Sequence, residues 1–397
     1  MKSELFRKGW KNITLGKILT FQRGFDITKR QLQPGEYDVI FSSGLGGKHN
    51  EYKVKAPGVV IGRKGTLGTV FFAKSNFWAT DTTLWVKDFH GNDEKFAYYF
   101  LQTLHLEQYD CGSANPTLNR NHIHELPISY PSLPTQKKIA AILSAYDDLI
   151  ENNTRRIKIL EEMAQTLYHE WFVKFRFPGQ EHTKMVDSEL GLIPEGWELK
   201  QLEQVADINL SSIKSGNAPE EIKYVDISSV NTGQINNIET IAFVEASSRA
   251  RRVVKHGDII WSTVRPNRRS YSLIINPIQN LIVSTGFAVI TAKKIPYTYL
   301  YHALTTDNFV DYLTNNATGS AYPAVNTADF KNAELIIPPH ELLNQFHKFC
   351  ADILSQKQNF HSKNLNLRKT RDLLLPKLIS GEIDVEHLKI TTEDIAA

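Results

Sequence analysis

The sequence predicts an α+β chain built as two tandem pseudo-repeated domains, each followed by a long α-helix, with the two helices pairing as a coiled coil. Three observations carry this. The chain duplicates itself at a long period, two extended stretches place an apolar residue at every third or fourth position, and each half mixes strand and helix patterns.

The duplication is clearest where Gly112-Ser-Ala-Asn-Pro-Thr-Leu-Asn119 aligns with Gly319-Ser-Ala-Tyr-Pro-Ala-Val-Asn326. Five of eight positions are identical at an offset of 207, and Leu118 faces Val325. Each copy then runs through an apolar strand-like segment into proline, Leu126-Pro-Ile-Ser-Tyr-Pro131 in one and Leu335-Ile-Ile-Pro338 in the other. Upstream, Gly9-Trp10 with Leu15 matches Gly196-Trp197 with Leu202, and Pro57-Gly-Val-Val-Ile61 matches His256-Gly-Asp-Ile-Ile260. Short Gly/Ser/Pro strings recur in loops by chance, but four matches in the same order point to two domains of one kind.

The first long helix is expected from the glycine-free stretch after Pro134, where Ile139, Leu143, Tyr146, Ile150, Asn153, Ile157, Leu160, Ala164, Leu167 and Trp171 alternate steps of four and three. At ~1.5 Å per residue such a helix is roughly 60 Å long, too long for an ordinary core helix, so it needs a partner. Leu343, Phe346, Cys350, Ile353, Lys357, Phe360, Asn364, Leu367, Arg371 and Leu374 repeat the rhythm before Pro376 and supply that partner. Asn153, Lys357, Asn364 and Arg371 interrupt the apolar seam, which weakens a coiled coil while fixing its register. Each stripe taken singly reads first as a buried helix face. Two such stripes, each following a duplicated domain, favour pairing with one another.

Within the domains, Val59 to Ile61, Val70 to Ala73, Leu84 to Lys87, Asp258 to Trp261, Ser272 to Ile275 and Phe287 to Thr291 read as strands. Glu94 to Gln108 and Tyr297 to Asn315 read as helices. The expected boundaries are a first domain at 1–132, its helix at 133–176, a Pro/Gly-containing linker at 177–194, a second domain at 195–338, its helix at 339–385 and a tail at 386–397.

Composition bounds the function. With 397 residues and 41% hydrophobic content the chain can bury more than one core. Its longest apolar runs, such as Ile139-Ala-Ala-Ile-Leu143, fall far short of the ~20 residues needed to cross a bilayer. Met1-Lys-Ser-Glu-Leu-Phe-Arg-Lys8 has no apolar stretch behind its charges, so no signal peptide and a cytoplasmic location are expected. Cys111 and Cys350 are the only cysteines and fall in different domains. His122 and His124 have no third ligand nearby, so they read as loop histidines and no metal is expected.

The common catalytic constellations do not hold up. Gly47-Lys48 is followed by His49 rather than Ser or Thr, so no phosphate loop is present. The Gly-rich turns Ser43-Gly-Leu-Gly-Gly47 and Gly62-Arg-Lys-Gly-Thr-Leu-Gly68 lack a following amphipathic helix, which argues against cofactor binding. Asn115-Pro116-Thr117 lacks the second proline and the ring of an amino-methyltransferase motif. Glu51-Tyr-Lys53 and Asp93-Glu-Lys95 offer nuclease-like acid and lysine, but such triplets arise by chance in a chain this charged. No serine or cysteine sits in a nucleophile elbow. The chain is therefore read as non-catalytic.

The net charge of +3 decides nothing, but its distribution does. Between Arg249 and Arg269 lie Arg249, Arg251, Arg252, Lys255, Arg265, Arg268 and Arg269 against the single acid Asp258. Such a segment neutralises phosphates. Within it Arg265-Pro-Asn-Arg-Arg269 is the best base-reading candidate, because Arg pairs with guanine and Asn267 with adenine, and proline stiffens the loop. The first half offers Arg23, Lys29, Arg30, Lys48, Arg63, Lys64 and Arg120. Each alone is equally explained as solvated surface charge, but as a set in two duplicated domains they carry more weight. Tyr322 and Asn326, with Asn115 and Asn119, belong to the repeated Gly-Ser-Ala element, which reads first as a structural turn closing each domain.

On these residues the chain resembles the specificity subunit of type I restriction-modification enzymes over nearly its whole length. The markers are Pro194-Glu-Gly-Trp-Glu-Leu199, the two Gly-Ser-Ala-x-Pro-x-x-Asn repeats, Leu133-Pro-Thr-Gln-Lys-Lys-Ile-Ala-Ala-Ile-Leu143 and Leu373-Leu-Leu-Pro-Lys-Leu-Ile-Ser-Gly-Glu-Ile383. The resemblance implies two DNA target-recognition domains and two spacer helices paired antiparallel. It implies a subunit that binds double-stranded DNA and joins two modification (methyltransferase) subunits and further restriction (helicase-nuclease) subunits. S-adenosylmethionine, ATP and magnesium then belong to the partners. Two reading heads on a stiff spacer would contact half-sites a fixed distance apart. The spacer positions Ile139, Leu143, Tyr146, Ile150, Asn153, Ile157, Leu160, Leu167, Phe346, Ile353, Phe360, Leu367 and Leu374 are the expected helix-pairing and partner-facing set. The specificity subunit of a type II-like system, a stand-alone DNA-modifying enzyme and an assembly scaffold are the competing readings.

Overall fold

The central strand of each half is buried at every position and apolar through its middle, and the fold explains why. In the computed structural model, which describes residues 10–389 except Ser113 and Leu190, the strand β5 (Gly58–Gly62) lies inside a four-stranded antiparallel sheet. Val59 and Ile61 point into one core and Val60 into another. Successive strand side chains alternate faces, so a strand covered on both sides reads as a continuous apolar run. The expectations that fall on Met1 to Gly9 and on residues 390–397 lie outside the described residues.

Two units form. Residues up to Asn153 together with those from Lys363 make the first, and Thr154–Ser362 the second. In the first unit, chain order runs β1 (Trp10–Thr14), β2 (Thr20–Arg23), β3 (Tyr37–Phe41), β4 (Gly44–His49), β5, β6 (Val70–Ala73), β7 (Phe77–Ala79), β8 (Thr83–Asp88), helix α1 (Glu94–Gln102), the short α2 (Arg120–His124), β9 (Pro127–Pro131) and the start of α3 (Leu133–Tyr168). The main sheet is ordered β2-β8-β5-β6 and a second sheet β4-β3-β7, with β3 and β7 parallel. Strands β1 and β9 pair antiparallel and close the domain, Trp10 opposite Pro131.

The second unit repeats this plan. Its elements are β10 (Glu198–Gln201), β11 (Ala206–Ile208), β12 (Glu221–Val225), β13 (Glu239–Ala242), β14 (Ala250–Val253), β15 (Ile259–Ser262), β16 (Tyr271–Leu273), β17 (Leu281–Ser284), β18 (Phe287–Ala292), α4 (Tyr297–Ala303), α5 (Asp307–Asn316), α6 (Thr327–Lys331), β19 (Glu334–Ile337) and most of α7 (His340–Ile379). The main sheet, β11-β18-β15-β16, has the order of its counterpart. The second sheet is β13-β12-β17-β14, with β12 and β17 parallel, and β10 pairs with β19 as the closing ribbon. Ile259 and Trp261 of β15 face one core and Ile260 the other, as in β5.

The long helices α3 and α7 each contribute a segment to both units and pair antiparallel. In the first unit Ile139, Leu143 and Ile150 are buried, Tyr146, Leu367 and Leu374 half-buried. There the amide of buried Asn153 donates to Asn364 Oδ1 at 2.9 Å, and Arg371 pairs with Asp147, which also accepts the Tyr99 hydroxyl. In the second unit Ile157 and Phe346 are buried, Leu160, Leu167, Ile353 and Phe360 half-buried. Lys357 reaches Glu161 at 2.6 Å and the Gly233 carbonyl at 3.2 Å. The polar residues that interrupt the seam thus satisfy one another or the backbone, as a register device requires.

Several local expectations are corrected. The helix expected over Glu94 to Gln108 ends at Gln102, because His105 takes a left-handed conformation (φ 48°) and a separate 3₁₀ turn, Leu106–Tyr109, follows. The helix expected over Tyr297 to Asn315 is broken. The hydroxyls of Thr305 and Thr306 bond back to the carbonyls of Tyr301 and Ala303, competing with the helix ladder, and Thr306 then caps α5 through Phe309 N. The Gly-rich stretch read as a turn at Ser43 to Gly47 is largely strand β4. A Cβ at Gly46 would stand 2.2 Å from the Phe41 ring, so glycine there serves strand packing. His122 and His124 lie on α2 rather than in a loop. The His124 ring accepts the Phe21 amide proton at 3.0 Å and stacks on the Phe21 ring.

Candidate nucleic-acid interface

In each unit the repeated Gly-Ser-Ala-x-Pro-x-x-Asn element clasps the loop that leaves the central strand. In the first unit the Gly65 amide donates to Pro116 O at 3.0 Å and the Leu118 amide to Arg63 O at 2.8 Å. In the second the Arg265 amide donates to Pro323 O at 2.7 Å and the Val325 amide to Thr263 O at 2.9 Å. The last residue of each element caps the next helix: Asn119 Oδ1 accepts Asn121 N, and Asn326 Oδ1 accepts Ala328 N and Asp329 N. The element is therefore the structural turn that its composition indicated, and its final asparagines, Asn119 and Asn326, are held as caps.

The matching bonds put Gly65 and Arg265 at the same place in the two units. Both have positive φ, 83° and 51°. Glycine takes this conformation without penalty, whereas an arginine there costs roughly 1–2 kcal/mol. Arg265 nevertheless sits at the loop tip with its guanidinium over the Tyr322 ring at 4.6 Å, and its Nη2 donates to Ala321 O at 3.1 Å. Tyr322 is 70% exposed. Asn267 and Arg268 beside it are exposed, on a short 3₁₀ turn that opens with Pro266.

The remaining basic residues divide by what already holds them. Arg269 is paired with Asp307 at 2.5 Å, and that hydrogen bond holds its guanidinium pKa up. Arg251 lies over the Phe243 ring and donates to Ala250 O, while Arg252 is half-buried with Nε enclosed and burial pulls its pKa down. In the first unit Arg23 pairs with Asp26 at 2.9 Å, Lys48 with Asp38 at 2.6 Å, and Arg63 donates to Asp81 O at 3.1 Å. Lys29, Arg30, Lys64, Arg120 and Arg249 are exposed. Asp258, the one acid in the basic run, is buried and accepts the Lys255 amide and the Thr291 hydroxyl, with burial raising its pKa. It braces the strand entry and does not offset the surface charge.

Sequence reasoning missed the Arg265–Tyr322 stack and the equivalence with Gly65. The signal lay in the repeat itself, since the tyrosine is the position where the two elements differ most in chemistry, Asn115 against Tyr322. Among the described residues no group of three His, Cys, Asp or Glu side chains is placed to hold a metal ion, and no helix is long and apolar enough to cross a membrane.

The family model described as type I restriction modification DNA specificity domain matches twice, over residues 7–162 and 194–367. The type I restriction enzyme MjaIX specificity subunit of Methanocaldococcus jannaschii is 27% identical over 386 residues, spanning 91% of this chain and 87% of that one. The EcoDI specificity subunit of Escherichia coli is 22% identical over 95% of this chain and 89% of its own length. The crystal structure of the type I restriction-modification S subunit from M. genitalium shares the fold, with a TM-score of 0.64 at 17% identity, covering 95% of this chain and 97% of that one.

Proposed function

Because the chain belongs to the type I restriction-modification DNA specificity family, we propose that it is the subunit that reads a two-part DNA target and directs adenine-N6 methylation and restriction performed by partner subunits. The observation that carries this reading is the duplication in space, two domains of one topology, each presenting a loop from its central strand clasped by the same motif. Each domain reads one half of the target. Exposed Lys29, Arg30, Lys64, Arg120, Arg249 and Arg268 neutralise phosphates and fix the register, and the loop tips supply base contacts. The helical segments between the domains in sequence set the length of unread DNA.

Chemistry is assigned to the partners: two modification subunits that use S-adenosylmethionine, and restriction subunits that use ATP and magnesium, acting in the cytoplasm. The helix pair is their docking surface. Leu149, Leu365 and Leu373 remain exposed on its first-unit part, Ile159 and Met163 on its second-unit part. Mapping N6-methyladenine across the genome in cells with and without this chain, alongside the native modification partner, tests the reading. Loss of methylation at a split motif on deletion is expected. Methylation unchanged in cells that express the complex refutes it.

A further inference from the structure

We propose that Arg265 reads a guanine in the half of the target engaged by the second unit, and that the first unit makes no equivalent contact because Gly65 occupies the matching position. This rests on the DNA-reading assignment above. A left-handed arginine at an exposed loop tip is strained, and the first unit avoids the strain with glycine. The strain does not serve packing, since the side chain bears on the exposed Tyr322. It does serve presentation. The Tyr322 face fixes the guanidinium plane, and the bond from Nη2 to Ala321 O fixes its rotation. Donors beyond that bond are left for a ligand, and paired donors in a fixed fork match O6 and N7 of guanine. Pre-ordering lowers the entropy cost of using them.

Two neighbouring arginines are committed elsewhere. Arg269 is held by Asp307, and Arg251 by its own backbone and Phe243. Arg268 is exposed, but no ring or backbone acceptor among the described residues orients it.

The test uses the native complex with Arg265→Gly and Arg265→Lys. Arg265→Gly restores the first unit's residue and relieves the strained backbone, so folding is retained, which thermal melting confirms. Arg265→Lys keeps the charge but loses the fork. N6-methyladenine mapping in cells, with selection of bound duplexes from a random pool by the purified complexes, reads the motif. The expected result is a wild-type motif with a guanine in one half whose discrimination falls roughly 5- to 150-fold in both variants, every other position being unchanged. A motif unchanged in both variants overturns the proposal, as does weakening that is uniform over all sequences and rescued by Arg265→Lys, the signature of a phosphate contact. If no split motif depends on the wild-type chain, the broader reading fails, a result distinct from an intact motif that ignores Arg265.

Discussion

Acidification should destabilise the second unit through His302. This imidazole is buried on α4, stacked on Tyr168 and edge-on to Phe346, with Nε2 lacking a hydrogen-bond partner among the described residues. Burial, reinforced by the nearby Lys357 ammonium, pushes its pKa down to about 3 from the ordinary 6.5. The fold therefore holds His302 neutral, while the unfolded chain takes up its proton below pH 6.5. Stability is full above the unfolded value and is lost as pH falls toward the folded one. At pH 5 the unfolded state is favoured by about 2 kcal/mol through this group alone. Glu161, Tyr301 and Tyr168 also lie around this part of the helix seam, and His124 and His347 have pKa values lowered by burial, so the wild-type slope contains other contributions. His302→Phe isolates the one of interest. Urea unfolding of both chains at neutral pH and at pH 5 should show the wild type losing about 2 kcal/mol more than the variant between the two. The readout is the difference in pH dependence, which a constant repacking cost in the variant does not alter. Equal losses would refute the argument that desolvation of this ring governs its protonation.

Replacing Asn364 with Leu should destabilise the first unit by about 1–3 kcal/mol, because the Asn153 amide is left buried without its acceptor, and the Asn153→Leu/Asn364→Leu double variant should recover most of that loss; a double-mutant cycle by urea unfolding checks it. Asn326→Ala should cost about 1 kcal/mol, since one side chain caps two amides of α6, as measured by the unfolding midpoint. Lys64→Ala and Arg268→Ala should each lower the slope of log affinity against log salt for duplex DNA by about 1 without changing the motif, as titrations at several salt concentrations would show.

How far the fold was legible depended on whether the signal was local. The apolar runs Val59-Val-Ile61 and Ile259-Ile-Trp261 announce strands covered on both faces, and the long three-four stripes announce the helix pair, because burial writes directly into periodicity. The Thr305-Thr306 break was hidden, since hydroxyls bonding back to carbonyls leave no periodic trace. Strand β4 was hidden by three glycines, whose role depends on the Phe41 ring from the neighbouring strand. At the candidate interface the basic run was visible, but not which members are spent on intramolecular partners. Arg252 and Arg269 look like Arg268 in sequence and differ only in what the fold brings beside them.

The first unit is interrupted in the chain by all 209 residues of the second, Thr154–Ser362, so it is a domain with another domain inserted within it. At about 5–20 residues per second, its helix seam waits roughly 10–40 s on the ribosome between the emergence of Asn153 and that of Lys363. Through that interval Ile139, Leu143 and Ile150 have no α7 segment to cover them, while the inserted unit is contiguous and can complete itself first. The nascent chain is thus most in need of a holding chaperone over the α3 segment of its oldest part, and synthesis that stalls before Lys363 leaves that stripe without its α7 partner.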